Sequence, residues 1–289
     1  MDAADTSLAV AAAMSTASAH KLRADDAVVL HNSNKLALRL LPCDVFARVA
    51  PVGQEVAEFE VQLARQLAET GSPVAALEPR VEPRPYQRDG FVITLWTYYP
   101  PLTPPELTPA EYANALKRLH VEMRKLDVTT PHFTDRVTEA QRVVLNRDQS
   151  PALNESDREL LIDSLSSLRQ MIVDCGSAAQ LLHGEPHPGN VLRTRAGPLF
   201  IDLETCCRGP VEFDLAHAPA EVAQHYPDVD LEVLGACRGL ILAMVAAWRF
   251  EPGDQFPSGR SAARELIRAL RDGPPWPALD VVTHRMATP

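Results

Sequence analysis

The first hundred residues alternate between apolar and polar positions in the manner of β-strands, with one helical stretch between them. An apolar run at residues 27–30 leads through a polar turn into an alternating segment at 35–41 and a further strand at 45–49. Residues 53–71 instead repeat apolar side chains at helical spacing, and residues 90–99 are again β-branched and aromatic. This part of the chain is therefore predicted to be β-β-α-β-β, an antiparallel sheet with one helix.

The pattern becomes helical after residue 107. Thr108 stands where a helix N-cap is expected, and long amphipathic stretches run over residues 109–126 and 158–174. An apolar stretch at residues 231–250 is interrupted by charged residues, so it is predicted to be a core helix rather than a membrane span.

These patterns divide the chain into three parts. Residues 1–22 are expected to be a flexible tail, residues 23–100 a small antiparallel β-rich N-lobe, and residues 101–289 a larger helical C-lobe. The predicted fold class is α/β of the α+β kind.

Charge and cysteine content limit the kinds of binding partner and the cellular compartment that can be expected. The chain has 28 Lys and Arg against 38 Asp and Glu, a formal net charge of −10, and no basic block. This argues against nucleic acid or an anionic membrane as a partner and favours a cationic ligand. Five cysteines without a C-x-x-C pair fit a reducing cytoplasm, and Asp2 and Asp5 stand where a signal peptide needs positive charge. A cytoplasmic protein is expected.

Residues 180–192, QLLHGEPHPGNVL, contain the most informative chemistry in the chain. They place His183, Glu185 and Asn190 between apolar flanks, and an apolar strand ending in Asp202 follows. Phosphoryl transfer requires such a set. A carboxylate orients and deprotonates the attacking hydroxyl, while an Asn and an Asp hold the Mg²⁺ ions that bridge the nucleotide phosphates. Protein kinases supply these groups in the same order.

The same run resembles the H-G-D-x-H-x-x-N motif of aminoglycoside phosphotransferases and their choline-kinase-like relatives. Residues 201–217, IDLETCCRGPVEFDLAH, resemble that family's second motif, in which a metal-binding Asp precedes G-x-x-x-x-D-L-A. The resemblance implies a protein-kinase-like bilobal fold. It also implies a kinase that uses ATP or GTP with Mg²⁺ to phosphorylate a hydroxyl of a small molecule. Glu185 would be the catalytic base, with His183 beside it. Asn190 would be both a catalytic residue and, with Asp202, a metal ligand.

Further positions in the chain resemble the same family, and nucleotide binding would fall on the N-lobe. Glu60 matches the acid that pairs with the nucleotide-binding Lys, and Arg48 stands at the position of that Lys. The strand containing Trp96 and Tyr98 is similar to the hinge whose backbone hydrogen-bonds adenine. Residues 116–120, LKRLH, resemble the helix that packs behind the catalytic loop.

Three features depart from the family's pattern. Glu185 replaces an Asp and is one methylene longer, and Arg48 replaces a Lys and is bulkier. The turn at 31–35, in which Ser33 and Asn34 would face the phosphates, contains no Gly. A pseudokinase that binds nucleotide, or a scaffold protein, therefore stays open as an alternative.

A metal-dependent hydrolase is the more remote alternative. His183, Glu185 and His187 alternate as H-x-E-x-H, and together with Asp202 and Glu204 they could form a His/carboxylate set of the kind that binds zinc or iron. Pro186 and Pro188 argue against the strand that this arrangement would need.

The acceptor is expected to be a small molecule, and a cationic one, such as an aminoglycoside-like antibiotic or metabolite, would suit the acidic character of the predicted C-lobe. The acidic residues concerned are Glu212, Glu221, Asp228, Asp230 and Glu232.

Overall fold

A computed structural model describes residues 1, 3–33, 35–53, 56–103, 106–254, 256 and 258–282. The chain divides into two compact units. The first is Met1–Pro105 with Leu192–Glu204, and the second is Glu106–Val191 with Thr205–Pro289. An antiparallel sheet lies in the first unit and long helices make up most of the second. The predicted α+β class, with a β-rich N-lobe and a helical C-lobe, is confirmed.

The first unit is built on a five-stranded antiparallel sheet in the order β1-β2-β3-β5-β4. Side chains along β2 and β3 alternate between the core and the surface, as the alternating sequence requires. Three strands, rather than the predicted two, precede the helix, because the apolar run at 27–30 belongs to a complete strand. The strands are β1 (Ala24–Asn32), β2 (Leu36–Pro42), β3 (Val45–Pro51), β4 (Tyr86–Arg88) and β5 (Phe91–Thr97).

The residues predicted to form a flexible tail form a helix instead. Helix α1 (Ala3–Ala19) buries four alanines completely, and they join the core formed by the sheet. The buried residues are Ala9, Ala12, Ala13 and Ala17. Their spacing of three, one and four residues places them on one helical face, and alanine has the highest helix propensity. The apolar run near the N-terminus is therefore a packed helix.

Helix α2 (Val56–Glu69) follows β3 and carries Glu60 among its buried residues. Strands β3 and β5 pair so that Arg48 lies opposite Thr94. The Glu60 carboxylate and the Arg48 guanidinium lie within hydrogen-bonding distance of each other in the first unit.

The second unit is mainly helical. Thr108 caps its first helix through a capping box with Glu111, as the sequence predicts. The helices are α3 (Pro109–Met123), α4 (Phe133–Leu145), α5 (Glu155–Asp174), α6 (Val211–His217), α7 (Leu231–Trp248) and α8 (Gly259–Asp272).

Helix α7 is long and apolar enough to pass a length-and-composition criterion for a membrane span, but 67% of it is buried. It packs against α4, α5, α6 and α8. It is thus the core helix that the interrupted apolar stretch at 231–250 predicts.

Four short strands lie between α5 and α6. They are β6 (Gln180–Leu182), β7 (Val191–Thr194), β8 (Gly197–Phe200) and β9 (Cys207–Gly209). Strand β6 pairs with β9, and β7 pairs with β8. The Phe200 N–H donates to the Pro73 carbonyl at 2.8 Å and the Phe200 carbonyl accepts from Ala75 at 3.0 Å. Residues 192–204 consequently belong to the first unit, which a single division at residue 100 does not capture.

Candidate active site

A buried carboxylate, that of Asp214 in α6, holds the loop that follows β6. Its Oδ1 accepts the Gly184 N–H at 2.8 Å, and its Oδ2 accepts the His183 N–H at 2.9 Å. His120 Nε2 lies 2.9 Å from the same Oδ2, and His120 Nδ1 lies 2.8 Å from the Tyr226 hydroxyl. Burial would raise the pKa of Asp214, but the His120 and Gly184 hydrogen bonds outweigh it and keep the pKa below its ordinary value. The charged carboxylate therefore fixes the backbone of the loop.

The start of this loop permits little variation. Gly184 has a φ of +89°, which favours glycine, and a Cβ atom there would overlap the carbonyl oxygen of Thr205. The Thr205 hydroxyl donates to the His183 carbonyl at 3.3 Å. His183 is completely buried, and its Nδ1 accepts from the Glu185 N–H at 3.4 Å. The buried His183 ring thus supports the backbone of the loop at Glu185.

Glu185, the predicted base, forms an ion pair with Arg136 of α4. Arg136 Nη2 donates to Glu185 Oε1, and Nη1 donates to the Gly184 carbonyl at 3.4 Å. The guanidinium carbon lies 5.4 Å from the centre of the Trp248 ring. Burial would raise the pKa of Glu185, but Arg136 outweighs it and holds the pKa below its ordinary value. In this arrangement Glu185 is ionised and its charge is neutralised by a neighbour.

Asn190 closes the same loop at its far end. Its Nδ2 donates to the Glu185 carbonyl at 3.0 Å, and its backbone N–H donates to the His187 carbonyl at 2.8 Å. The segment Pro188–Asn190 is a short 3-10 turn that begins at His187. The structure therefore places His183, Glu185 and Asn190 in one loop of the second unit. The remaining carboxamide oxygen of Asn190 is the kind of ligand that Mg²⁺ accepts.

A buried histidine, His217, lies at the end of α6. Its Nε2 has no hydrogen-bond partner among the described residues. Burial lowers its pKa to about 3, against the opposing effect of the Glu185 carboxylate. The ring packs edge-on against Phe213, with the ring centres 5.4 Å apart. His217 is therefore a neutral imidazole with an unsatisfied nitrogen, which is uncommon in a folded interior.

In the first unit, Arg48 bridges two carboxylates. Its Nη1 donates to Glu60 Oε1 at 2.7 Å, and its Nη2 donates to Asp202 Oδ1 at 3.0 Å. Glu60 also accepts the Leu203 N–H at 3.2 Å. The Arg48 side chain is 17% exposed and that of Glu60 is 3% exposed. The pairing of Arg48 with Glu60 that the sequence predicts is thus present, and Asp202 joins it.

Lys35 brings a second cation to the same place. Its Nζ donates to the Glu204 carboxylate, and Arg48 Nη2 lies 3.9 Å from Glu204 Oε2. Burial and the Arg48 guanidinium lower the pKa of Lys35. The two cations and Glu60 line a small pocket in the first unit, and its other walls are Ala50, Ala57, Val92 and Thr94.

The predicted phosphate-facing turn is only partly described. The Ser33 N–H donates to the Lys35 carbonyl at 3.1 Å and so closes the turn in front of β2. Asn34 lies outside the described residues. The turn therefore presents Lys35 at the start of β2, where it reaches the pocket.

The side chains of the predicted hinge strand pack within the first unit. Trp96 is buried, and its indole N–H donates to the Thr94 hydroxyl at 2.8 Å. The Tyr98 ring lies 4.2 Å from the guanidinium carbon of Arg39. Thr94, rather than Trp96 or Tyr98, contributes to the wall of the pocket.

The oxygen ligands fit a magnesium–nucleotide complex better than a protein-only metal centre. Asp202 has a left-handed backbone, with a φ of +66°, and its side chain is 30% exposed. Glu204 supplies another carboxylate in the first unit, beside two phosphate-compatible cations. Mg²⁺ is commonly held by one or two carboxylates together with substrate phosphates. Within the described ranges, His, Cys, Asp and Glu side chains form no group of three that could hold a metal, including the H-x-E-x-H run.

Four residues of these clusters are not assigned by the sequence motifs: Lys35, Glu204, Arg136 and His217. Arg136 lies 49 residues before Glu185 in the chain, and Lys35 lies 169 residues before Glu204. Such pairings leave no local pattern. Glu204 and His217 each had a possible signal, since both lie in the run 201–217, Glu204 two residues after Asp202 and His217 directly after D-L-A.

The model of the phosphotransferase enzyme family matches this chain over residues 24–271. No match was found among curated protein sequences.

Solved structures with the same fold cover nearly the whole chain. An amicoumacin kinase in complex with AMP-PNP, Ca²⁺ and Ami has a TM-score of 0.68 at 11% identity, over 96% of this chain and 98% of that one. A choline kinase from Streptococcus pneumoniae has a TM-score of 0.64 at 16% identity, over 90% and 97%. The GDP complex of an aminoglycoside 2'-phosphotransferase has a TM-score of 0.67 at 14% identity, over 94% and 99%. The shared fold is that of small-molecule kinases.

Proposed function

The chain belongs to the phosphotransferase enzyme family, and on this premise we propose that it transfers the terminal phosphoryl group of ATP or GTP to a hydroxyl of a small molecule, with Mg²⁺ as cofactor. The fold neighbours support a nucleotide donor, because one contains AMP-PNP and another GDP. The observation that carries the proposal is the loop held by Asp214, which presents a carboxylate at Glu185 and a carboxamide at Asn190.

We assign nucleotide binding to the first unit. Arg48 and Lys35 are the cations that would contact phosphate oxygens, and Glu60 holds Arg48 in place through a 2.7 Å bond. We propose Asp202 as a metal ligand of the first unit and Asn190 as a metal ligand of the second. When bound, Mg²⁺ neutralises charge on the phosphates.

We assign the acceptor side to the second unit. The acceptor hydroxyl would give its proton to Glu185 while its oxygen attacks the terminal phosphorus, and the nucleoside diphosphate would leave. Asp214 contributes indirectly, because it fixes the loop through the His183 and Gly184 amides. Positioning matters here, since misplacement by about 1 Å can cost roughly a hundredfold in rate.

One observation favours the pseudokinase alternative. Arg136 neutralises Glu185, so a protein that only binds nucleotide would show the same ion pair. Two measurements separate these functions. Mg²⁺–ATP or Mg²⁺–GTP should raise the melting temperature, with a stabilisation of about 2.7 kcal/mol at a hundredfold excess over the dissociation constant. Transfer of γ-³²P from the nucleotide to a member of a panel of hydroxylated compounds identifies the kinase.

Asp202→Ala should remove most of the magnesium-dependent stabilisation, and Asp228→Ala, an exposed position, serves as its control. Nucleotide binding without transfer to any compound would support the pseudokinase. No stabilisation by either nucleotide at millimolar concentration would refute both functions.

A further inference from the structure

Arg136 lies against the predicted base in a setting that limits its freedom. Its guanidinium donates to the Glu185 carboxylate and to the Gly184 carbonyl, and it faces the ring of Trp248. The Arg136 side chain is 14% exposed and that of Glu185 is 26% exposed. Helices α4 and α7, which carry Arg136 and Trp248, pack against each other. These contacts therefore hold the Arg136 guanidinium in place within the second unit.

The ion pair must open when Glu185 accepts a proton. A guanidinium does not lose its own proton in proteins. Protonation of Glu185, or its rotation towards a hydroxyl, would then leave Arg136 as a mostly buried cation without an anionic partner. Breaking a buried pair in this way is strongly unfavourable unless another anion replaces the first.

Besides Arg136, the rings of His187 and His217 lie close enough to Glu185 to affect its pKa, and Arg136 carries a permanent positive charge. Two of the five acidic residues expected to attract a cationic acceptor are engaged within the second unit: Glu212 accepts the Asp230 N–H at 3.1 Å, and Asp230 caps α7. A cationic group on the acceptor, beside a hydroxyl that contacts Glu185, would meet the like charge of Arg136.

A second, separate observation concerns His217. Its Nε2 is buried and unpaired within the described part of the chain, and the side chain is close enough to Glu185 and Arg136 for their charges to act on it. A neutral imidazole has one donor and one acceptor nitrogen. In the tautomer protonated at Nε2, this atom would donate to an oxygen atom of an acceptor molecule bound near Arg136.

We propose that the acceptor carries an oxyanion close to its reacting hydroxyl, either a carboxylate or a phosphate ester, and that Arg136 binds this oxyanion. The inference rests on the proposed kinase function. Binding of the oxyanion replaces Glu185 as the partner of Arg136, and the freed Glu185 takes the hydroxyl proton. Planar guanidinium groups bind carboxylates and phosphates through two parallel hydrogen bonds, which also orients the acceptor. Arg136 is thus the residue that determines acceptor specificity.

Matched acceptors test the proposal, with nucleoside diphosphate release and labelled product as readouts. One set is glycerate, glyceramide, 3-amino-1,2-propanediol and glycerol 3-phosphate, and a second is gluconate, gluconamide, glucamine and glucitol 1-phosphate. Within a set the members share their hydroxyl skeleton and differ in charge. We expect kcat/KM for an anionic member to exceed that of the neutral amide at least a hundredfold. The carboxylate and phosphate members identify which oxyanion is bound.

Arg136→Gln should reduce this preference for the anion at least tenfold, and Arg136→Lys should reduce it less. The ratio of two kcat/KM values in one preparation does not depend on the folded fraction. Arg142→Gln, at an exposed position of the same helix, is the matched control and should keep the preference. Equal or better use of neutral or cationic members would overturn the inference but keep the kinase. An unchanged ratio in Arg136→Gln would overturn the role of Arg136, and no transfer to any member would overturn both proposals.

Discussion

Asp214 Oδ1 accepts the backbone N–H of Gly184 at 2.8 Å, so a residue of α6 determines the conformation of a loop that lies 30 residues earlier in the chain. The same carboxylate accepts from the His183 amide and contacts His120. Three donors thus converge on one buried anion. The loop that presents Glu185 is held by a carboxylate that needs no contact with either substrate.

Asp214→Asn should therefore weaken both fold and activity. Both carboxylate oxygens of Asp214 face donors, and asparagine replaces one of these oxygens with an NH₂ group. That NH₂ group would face a backbone N–H of the loop or the His120 ring. An unsatisfied buried donor costs roughly 1–3 kcal/mol, and more when a charged network is broken. Urea unfolding should show a lower midpoint and a loss of about 3 kcal/mol. Asp228→Asn, at an exposed position, should leave the midpoint unchanged. An equal midpoint in both variants would contradict the role given to Asp214.

His217 should make the protein less stable in mild acid. Its pKa is lowered to about 3 in the fold by burial, whereas an unfolded histidine has a pKa of about 6.5. Below that value the unfolded chain binds a proton that the folded chain does not, so stability rises with pH. The full slope of about 1.4 kcal/mol per pH unit applies only below the unfolded pKa of about 6.5. Between pH 7 and pH 5, His217 therefore costs the fold about 2 kcal/mol of stability.

Chemical denaturation at pH 7, 6 and 5 measures this contribution. His217→Gln should flatten the dependence of unfolding free energy on pH, because glutamine does not titrate. His225→Gln, at an exposed position, should keep the parent slope. If the His217 variant shows the parent slope as well, the acid sensitivity comes from other groups.

The sequence predicts the central features of this fold because they depend on local patterns. Alternation identifies β2 and β3, and the two motifs identify the loop and Asp214. The sequence predicts a tail at α1, because a face made mostly of alanine gives little contrast with its surroundings. The pairs of Arg136 with Glu185 and of Lys35 with Glu204 follow from tertiary packing across 49 and 169 residues, so no spacing rule indicates them.

Lys35→Met should weaken nucleotide binding. Lys35 and Arg48 line one pocket, and Arg48 is engaged by Glu60 and Asp202. A charge-assisted bond to phosphate is worth about 1.5–3 kcal/mol, which corresponds to roughly a tenfold to hundredfold change in dissociation constant. Calorimetric titration with Mg²⁺–ATP and with adenosine measures the two dissociation constants. Only the affinity for Mg²⁺–ATP should fall. Lys21→Met, an exposed position in the same unit, should change neither. Loss of adenosine binding too would point to a damaged pocket.

Glu185→Gln tests the residue on which the proposed chemistry depends. Glutamine keeps the shape and can still accept a hydrogen bond from Arg136, but it cannot take a proton. General-base assistance is worth roughly a hundredfold to ten-thousandfold, so kcat should fall by about that factor. The dissociation constant of Mg²⁺–ATP should stay at the parent value, because the residues proposed to bind nucleotide phosphate lie in the first unit.

Two further variants complete this test. Glu139→Gln, the same change at an exposed position of α4, should keep the parent kcat. Glu185→Asp restores the acid that the family motif has, but it shortens the reach of a loop already fixed by Asp214 at both Gly184 and His183. We expect a loss of about a hundredfold from this displacement of about 1 Å. A Glu185→Gln protein that phosphorylates its acceptor at the parent rate would make Glu185 a structural partner of Arg136, and the proton would then have to leave by another route.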